Sequence, residues 1–501
     1  MNESLSPHNG MLAAIDMGSN SFRLEIAQLS PGRYKRIDYL KETVRLGAGL
    51  DAQGMLTEDA MQRGLACLRR FAQRLDGMPA AHVRATATQT LREAQNRNAF
   101  LARAQTALGY PIEVISGREE ARLIFAGVAQ LQPSDERRLV IDIGGRSTEM
   151  ILGQGRTPLR AESFQVGSVS LSLRYFGDGR FTEHAFRAAQ VAAGAELEEA
   201  LAPFAARHWR EALGSSGTAG AVSHLLAANG ITDGVITPDG LRWCMDQCLR
   251  AGRVDKLNLP GMKEDRRAVI GGGLAILYTL ATHFGIDALQ PARGALRQGV
   301  IFDLDERLNA GSSPVGHDAR DTSVAELQRR FEVDSPQAER VTSVAEALYA
   351  SVAPSAHTTL TRELRWASAL HEIGMMVSHH DHHRHSAYLL GHVDAAGFSQ
   401  SQQRRLADLV LAQRGGLRKM EAQLAEDTFA WQALCLRLAI IKCHARGEVN
   451  PSALRLQRQG AQAVLSFPPG WAEDHPRTLF LLNEEVAAWE RSGVLRLQIR
   501  A

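Results

Sequence analysis

The feature that most constrains the fold is a short glycine-containing motif that occurs twice. In each copy an apolar run reaches an aspartate, a turn with glycine and hydroxyl side chains follows, and a second apolar run leaves. The aspartates of the two copies, Asp16 and Asp142, lie 126 residues apart. An apolar run, a tight turn and a second apolar run are typical of a β-hairpin. Two matching hairpins at this separation predict a duplicated domain whose two loops face one cleft.

The turns of both copies have the composition of a phosphate-binding loop. Glycines let the backbone N–H groups approach an anion, hydroxyl groups donate hydrogen bonds, and a carboxylate can hold a hard cation such as magnesium. The candidate residues are Asp16, Ser19, Asn20 and Ser21 in the first copy and Asp142, Gly144, Gly145, Arg146 and Ser147 in the second. A single Asp-x-Gly-Gly hairpin is also a common structural turn, so the argument depends on the duplication.

Length and composition indicate a folded protein of several domains. A chain of 501 residues is too long for one hydrophobic core. Its 45% hydrophobic and 22% charged residues and its formal net charge of +2 are ordinary values. The five cysteines form no CxxC pair, the N-terminus shows no signal peptide, and no apolar run reaches ~18 residues. We therefore expect a cytoplasmic location and no integral membrane segment.

Two adjacent glutamates begin a predicted helix after a short strand. Ser116 has the position of an N-cap, and Glu119 stands three residues later, which is the spacing of a capping box. Glu120 is not needed for capping and is therefore the freer candidate for chemistry. A first-turn glutamate that only complements the helix dipole is the structural alternative.

A threonine-rich turn earlier in the chain ends in Arg92. The threonines suit a helix cap and Arg92 could be solvated, but an arginine beside hydroxyl groups also suits a phosphate. The sequence leaves both interpretations open.

The pattern changes after a predicted linker at residues 308–322, which is rich in Gly, Ser, Pro and Asp. Helical periodicity follows, and short alternating segments near the end predict a small α+β tail. His371-Glu372 and the histidines between His379 and His385 suggest a metal. Histidines so close in sequence cannot all converge on one ion, and interdomain or surface hydrogen bonding is favoured.

Three motifs together resemble one known family. The Asp-x-Gly-Ser-Asn-Ser loop, the Ser-Gly-x-Glu-Glu-Ala-Arg helix start and the Asp-Ile-Gly-Gly hairpin are similar to those of the exopolyphosphatase/guanosine pentaphosphate phosphohydrolase family, within the actin-like ATPase and sugar kinase superfamily. The resemblance implies an α/β fold with two ribonuclease-H-like lobes facing a cleft, at 1–126 and 127–307. It also implies an all-α His-Asp-like domain at 320–447 without a working metal centre, and a small α+β domain at 451–501.

The resemblance also assigns roles to residues of this sequence. Glu120 matches the catalytic base, and Asp142 with Glu149 matches a magnesium site. Asp16 is the third candidate ligand of the metal. The phosphate-binding positions are Ser19, Asn20, Ser21, Arg92, Gly144, Gly145 and Ser147. Two positions depart from the family pattern: Arg146 stands where a third glycine is usual, and Arg293 stands where an acid is usual. Arg146 either contacts an additional phosphate or points away.

The implied activity is hydrolysis of the terminal phosphoanhydride of inorganic polyphosphate, with magnesium and a candidate monovalent cation. Guanosine pentaphosphate is the alternative substrate, since it offers the same terminal anhydride. An ATP-dependent kinase and a non-catalytic sensor of a phosphorylated alarmone are alternatives of other classes. The resemblance implies a homodimer, and no nucleic-acid partner is expected.

Overall fold

The computed structural model describes residues 10–30, 33–310, 318–354 and 358–500. The chain divides into two compact units, Met1–Asp318 and Ala319–Ala501. In the part of the chain that the structure describes, every helix is too short or too polar to cross a membrane.

The first half of unit one is a five-stranded sheet with helices. Its strands have the order β3-β2-β1-β4-β5, with β1, β2 and β3 antiparallel and β4 and β5 parallel to β1. The elements are β1 (Met11–Met17), β2 (Phe22–Ser30), β3 (Arg33–Glu42), α1 (Glu58–Arg74), β4 (Val83–Ala87), α2 (Gln89–Glu93), α3 (Arg97–Leu108), β5 (Ile112–Val114) and α4 (Gly117–Leu131).

The second half repeats this topology. Its sheet has the order β10-β9-β6-β7-β8. This is the order of the first sheet written from the opposite edge, with β6 to β10 in the places of β1 to β5. The elements are β6 (Arg137–Ile143), β7 (Thr148–Gln154), β8 (Thr157–Phe164), α5 (Ser168–Tyr175), α6 (Glu183–Leu197), β9 (Glu211–Ser215), α7 (Ser216–Ala228), α8 (Pro238–Ala251), α9 (Glu264–Arg267), α10 (Ile270–Phe284), β10 (Leu289–Pro291) and α11 (Leu296–Asn309). The predicted duplication and the two-lobed α/β fold are confirmed.

Helices α4 and α11 pack closely against each other between the two sheets. An added Cβ at Gly127 would meet the carbonyl oxygen of Ala295 at 2.5 Å, and one at Gly299 would overlap the carbonyl of Leu123. Glycine is therefore required at this helix crossing. Apolar residues from both lobes complete this buried cluster, among them Leu12 and Val140. Burial of these side chains joins the lobes through one apolar core.

Unit two is mainly helical and carries a three-stranded sheet of order β11-β12-β13. Its elements are α12 (Ala319–Arg330), α13 (Ser335–Val352), α14 (Thr358–Ala369), α15 (His382–His392), α16 (Gln400–Ala412), α17 (Glu421–Leu424), α18 (Asp427–Lys442), β11 (Arg455–Gln459), β12 (Gln462–Ser466), α19 (Trp471–Asp474), α20 (Pro476–Ser492) and β13 (Arg496–Arg500). The helices and the strands share one hydrophobic core. The all-α region and the α+β tail are present, and the domain boundaries stay predictions.

The linker predicted at 308–322 is too long at both ends. Helix α11 continues to Asn309 and α12 begins at Ala319, while residues 311–317 lie outside the described residues. The start of α12 is helical because it packs: Arg320 and Ser323 are both buried, and the Ser323 hydroxyl donates to the Ala396 carbonyl at 2.7 Å.

Candidate active site

A narrow cleft of about 80 Å³ lies where the two hairpin loops meet. Both loops and both strand-end aspartates line it, as do the starts of α5, α7 and α11 and part of α4. Of the residues proposed from the sequence, the cleft is lined by Asp16, Ser19, Asn20, Ser21, Glu120, Asp142, Gly144, Gly145 and Ser147. Arg92, Arg146 and Glu149 are not among the lining residues.

The two loops approach each other closely. An added Cβ at Gly145 would meet the Cβ of Ser19 at 3.0 Å and the backbone nitrogen of Asn20 at 3.6 Å, so a larger residue would push the loops apart. Thr90 fixes the first loop by donating a hydrogen bond to the Ser19 hydroxyl at 2.8 Å. The side-chain amide nitrogen of Asn20 is buried without a hydrogen-bond partner. A buried donor of this kind indicates a missing acceptor at the cleft.

The sheet register explains how the acidic residues are placed. Asp142 lies opposite Glu149 in the β6–β7 hairpin and beside Ser215 of β9, whereas Asp16 lies opposite Arg23. Burial, with the nearby Asp16 carboxylate, raises the pKa of Asp142 to about 6. Glu149 is buried away from the cleft, and Ser163 donates to its carboxylate at 2.8 Å. Burial, then the charges of Glu120 and Asp142, raise the pKa of Glu149 well above its usual value.

Glu120 lies at the cleft and is held by one arginine. Arg92 donates to the Glu120 carboxylate at 2.8 Å, to the Ile115 carbonyl at 3.0 Å and to the Gln89 side chain at 2.8 Å. Burial raises the pKa of Glu120 to about 7, although the charge of Arg92 opposes the shift. A carboxyl group with this pKa can accept a proton near neutral pH. Arg92 therefore positions the carboxylate. Its Nη2 atom is buried without a hydrogen-bond partner, and its phosphate contact stays a prediction.

The neighbouring Glu119 has a larger structural role than its spacing predicts. The Ser116 hydroxyl accepts a hydrogen bond from the Glu119 backbone nitrogen at 3.1 Å, so the predicted N-cap is confirmed. The carboxylate of Glu119, however, accepts hydrogen bonds from Arg122 at 2.7 and 2.9 Å and lies 3.7 Å from Arg84. Both arginines also bind Asp303 of α11. This buried ionic cluster joins the start of α4 to α11.

Arg146 forms an ion pair with the opposite lobe. Its Nε and Nη2 atoms lie 2.8 and 2.6 Å from the Glu93 carboxylate, and Nη1 donates to the Gly47 carbonyl at 3.3 Å. The side chain thus connects the second loop to α2 instead of pointing to solvent. This pairing gives the departure from glycine a structural function, and the phosphate contact stays a prediction.

Three arginines at the cleft were not identified from the motifs. Arg23, Arg266 and Arg297 all line it, and they come from β2, α9 and α11. The Nη1 atom of Arg297 and the Nε atom of Arg23 are buried without hydrogen-bond partners. Burial, followed by repulsion from Arg23, lowers the pKa of Arg266. Arg23 follows the first loop closely and Arg297 begins a predicted helix, but no local pattern marks Arg266.

The carboxylates at the cleft fit a magnesium ion. Asp16 lies 3.8 Å from Arg23 and 3.5 Å from Arg297, so arginines offset its charge. Asp142 forms no ion pair within the described ranges, and burial raises its pKa although a hydrogen bond from Ser215 and the charge of Arg23 oppose the shift. No three His, Cys, Asp or Glu groups of the described chain are arranged to hold a metal together. Magnesium needs only one or two carboxylates when water and phosphate oxygens complete its shell.

Two duplicated lobes, with a candidate base and three arginines at the cleft between them, are the arrangement expected of an enzyme that transfers or hydrolyses phosphate. Comparison with known proteins narrows the class. The Ppx/GppA phosphatase family model matches residues 25–308, and the model for domain III of that family matches residues 319–486. The chain therefore belongs to the Ppx/GppA phosphatase family and is a phosphoanhydride hydrolase.

Solved structures agree with this assignment. An exopolyphosphatase from Cytophaga hutchinsonii is 27% identical with a TM-score of 0.54, and the match covers 59% of this chain and 98% of that one. An exopolyphosphatase-like protein is 25% identical with a TM-score of 0.53, covering 60% and 98%. The Aquifex aeolicus PPX-GPPA enzyme is 25% identical with a TM-score of 0.50, covering 58% and 98%.

Proposed function

We propose that the protein is an exopolyphosphatase, which removes the terminal phosphate of inorganic polyphosphate as orthophosphate. The observation that carries the substrate assignment is the size and charge of the cleft. Its volume of about 80 Å³ is well below the ~300 Å³ or more of pockets that enclose a drug-sized ligand. An unbranched phosphate chain fits such a narrow space, and three arginines compensate its charge.

In this proposal Glu120 is the general base. It takes a proton from the attacking water as the water oxygen bonds to the terminal phosphorus and the bridging P–O bond breaks. Arg92 keeps the carboxylate directed at the cleft through their 2.8 Å hydrogen bond. The pKa of about 7 keeps a large fraction of Glu120 ionised at neutral pH and leaves it basic enough to accept the proton.

The remaining groups stabilise negative charge. The backbone of the two loops and the Asn20 amide would donate to phosphate oxygens, and Arg23, Arg266 and Arg297 would balance charge on the chain. Magnesium would bind at Asp142, with Asp16 beside it, and supply further charge neutralisation when bound. Glu149 lies directly opposite Asp142 in the β6–β7 hairpin, and we propose that it helps to position Asp142. Five cysteines that are all free and buried support a cytoplasmic location, and a homodimer is proposed from the resemblance alone.

The test compares phosphate release from long-chain polyphosphate and from guanosine pentaphosphate by the same preparation. We expect the larger kcat/KM with polyphosphate. Faster hydrolysis of guanosine pentaphosphate would replace the proposed substrate by the alternative. Binding of either compound without phosphate release would indicate a sensor.

The proposed base is tested by Glu120→Gln. A positioned general base contributes roughly 10²–10⁴-fold, so we expect kcat to fall at least ~100-fold with thermal stability retained. Glu136→Gln, at an exposed glutamate, is the matched control and should behave as the parent. A Glu120→Gln enzyme with parental kcat would contradict the assignment.

A further inference from the structure

Unit two contains a larger cavity of about 560 Å³. It is bounded by α18 and α20, by the turn after α14, and by the loop that follows α16. Half-buried apolar side chains form part of its wall: Met375, Ile440, Ile441, Leu481 and Ala488. The volume is in the range of small-molecule sites, about 300–1,000 Å³.

Several buried polar groups at this cavity lack partners. The side-chain nitrogen of Gln413 donates to the His371 carbonyl at 2.9 Å. The side-chain oxygen of Gln413 is buried and accepts no hydrogen bond. The Nδ1 atom of His382 is also buried and unpartnered. Their residues are only 4% and 5% exposed. Buried polar atoms normally have partners, so these atoms indicate a ligand.

His371 adds an acceptor to the same wall. Its Nδ1 lies 2.7 Å from the Ser368 carbonyl, which can only accept, so Nδ1 carries the proton. Burial lowers the pKa of His371, and the neutral ring then has a lone pair on Nε2. The side-chain oxygen of Gln413 and the Nε2 atom of His371 can therefore both accept hydrogen bonds from N–H or O–H groups of a bound molecule.

A metal does not fit this cavity. The Glu372 carboxylate accepts a hydrogen bond from Arg446 at 2.5 Å, so a cation already occupies its acceptor side. The described chain contains no arrangement of three His, Cys, Asp or Glu ligands. Within the histidine cluster, the Nδ1 atoms of His382 and His383 are buried without hydrogen-bond partners, so surface hydrogen bonding does not account for these two residues.

The cavity has an excess of positive charge. Arg414 and Arg491 line it and form no ion pair within the described ranges. Glu485 is neutralised by Arg437, which binds it through two nitrogens, at 2.5 and 2.7 Å. Glu484 is the acid at the cavity that remains without an ion pair among the described residues. Two free guanidinium groups against one carboxylate favour an anionic ligand.

We propose that this cavity is a second binding site, separate from the catalytic cleft, for a nucleoside phosphate. The base packs against the apolar wall, base N–H or ribose O–H groups donate to Gln413 and His371, and the phosphate binds Arg414 and Arg491. An inorganic anion would leave the apolar wall and the acceptors unused. An uncharged nucleoside would leave the arginines unused.

The experiment is isothermal titration calorimetry on the full-length protein with GMP, AMP, CMP and UMP. Nucleoside monophosphates contain no phosphoanhydride, so the catalytic cleft cannot consume them. Guanosine, adenosine and orthophosphate are titrated in parallel. Arg414→Ala and Arg491→Ala are compared with Arg477→Ala, which changes an exposed arginine on the same helix as Arg491 but outside the cavity.

We expect at least one monophosphate to bind at one site per chain, more tightly than its nucleoside and than orthophosphate. Each cavity variant should weaken it about 10-fold or more, the loss of one charge-assisted hydrogen bond. Arg477→Ala should bind as the parent, and all three variants should keep parental phosphate release from polyphosphate. Binding that is unchanged in both cavity variants, equal affinity for orthophosphate, or no binding by any monophosphate would each overturn the proposal.

Discussion

Neutralising Asp142 should make the metal-free protein more stable while it removes magnesium binding. Burial raises the pKa of this carboxyl from 3.8 to about 6. A shift of about two units corresponds to about 3 kcal/mol of free energy, since one unit is about 1.4 kcal/mol. The native state holds its proton more tightly than the unfolded state, so stability is lost as pH rises from about 4 through about 6. Above pH 7 the full cost is present.

The perturbation is therefore Asp142→Asn, which keeps the shape and removes the charge. We expect the free energy of unfolding in EDTA at pH 8 to increase by up to about 3 kcal/mol. For a unit of this size that corresponds to roughly 4–5 °C in Tm. At pH 5 the gain should be clearly smaller, because the native Asp142 is then largely protonated.

Differential scanning calorimetry at both pH values, with and without magnesium, measures these effects. Magnesium should raise the Tm of the parent but not of Asp142→Asn. Asp135→Asn, at an exposed aspartate, is the matched control and should follow the parent throughout. The reasoning is refuted if Asp142→Asn is no more stable than the parent at pH 8, or gains equally at pH 5 and pH 8.

Three further expectations follow from the same site. Glu119→Gln should cost about 3 kcal/mol of unfolding free energy, because it breaks a buried ionic cluster, and should change kcat less than about threefold; calorimetry with steady-state kinetics would expose a catalytic role if kcat fell further. Arg146→Ala and Glu93→Gln should raise KM for polyphosphate equally if their ion pair only holds the loop, whereas a rise confined to Arg146→Ala would reveal a direct phosphate contact. The kcat of the parent should rise with pH through about 7 as Glu120 ionises, and a pH–rate profile without that limb would argue against Glu120 as the base.

Local pattern determined much of the fold and part of the candidate site. Two copies of a hairpin motif predicted the duplicated sheets, because alternation and turn composition are properties of neighbouring residues. The N-cap at Ser116 and the separation of Glu119 from Glu120 followed from helix geometry, which also depends only on nearby positions. These features gave Asp16, Asp142 and Glu120, and the structure brings all three to one cleft.

Only the tertiary structure decided which groups meet across long distances in the chain. Arg122 and Asp303 are 181 residues apart in sequence, yet they lie in one ionic cluster that makes Glu119 a structural residue. Arg266 reaches the cleft from α9, which no motif marks. Chain folding sets such contacts through the packing of whole helices and sheets, as at the glycine crossing of α4 and α11. A sequence pattern records which residues are buried locally, but not which distant residue lies beside them.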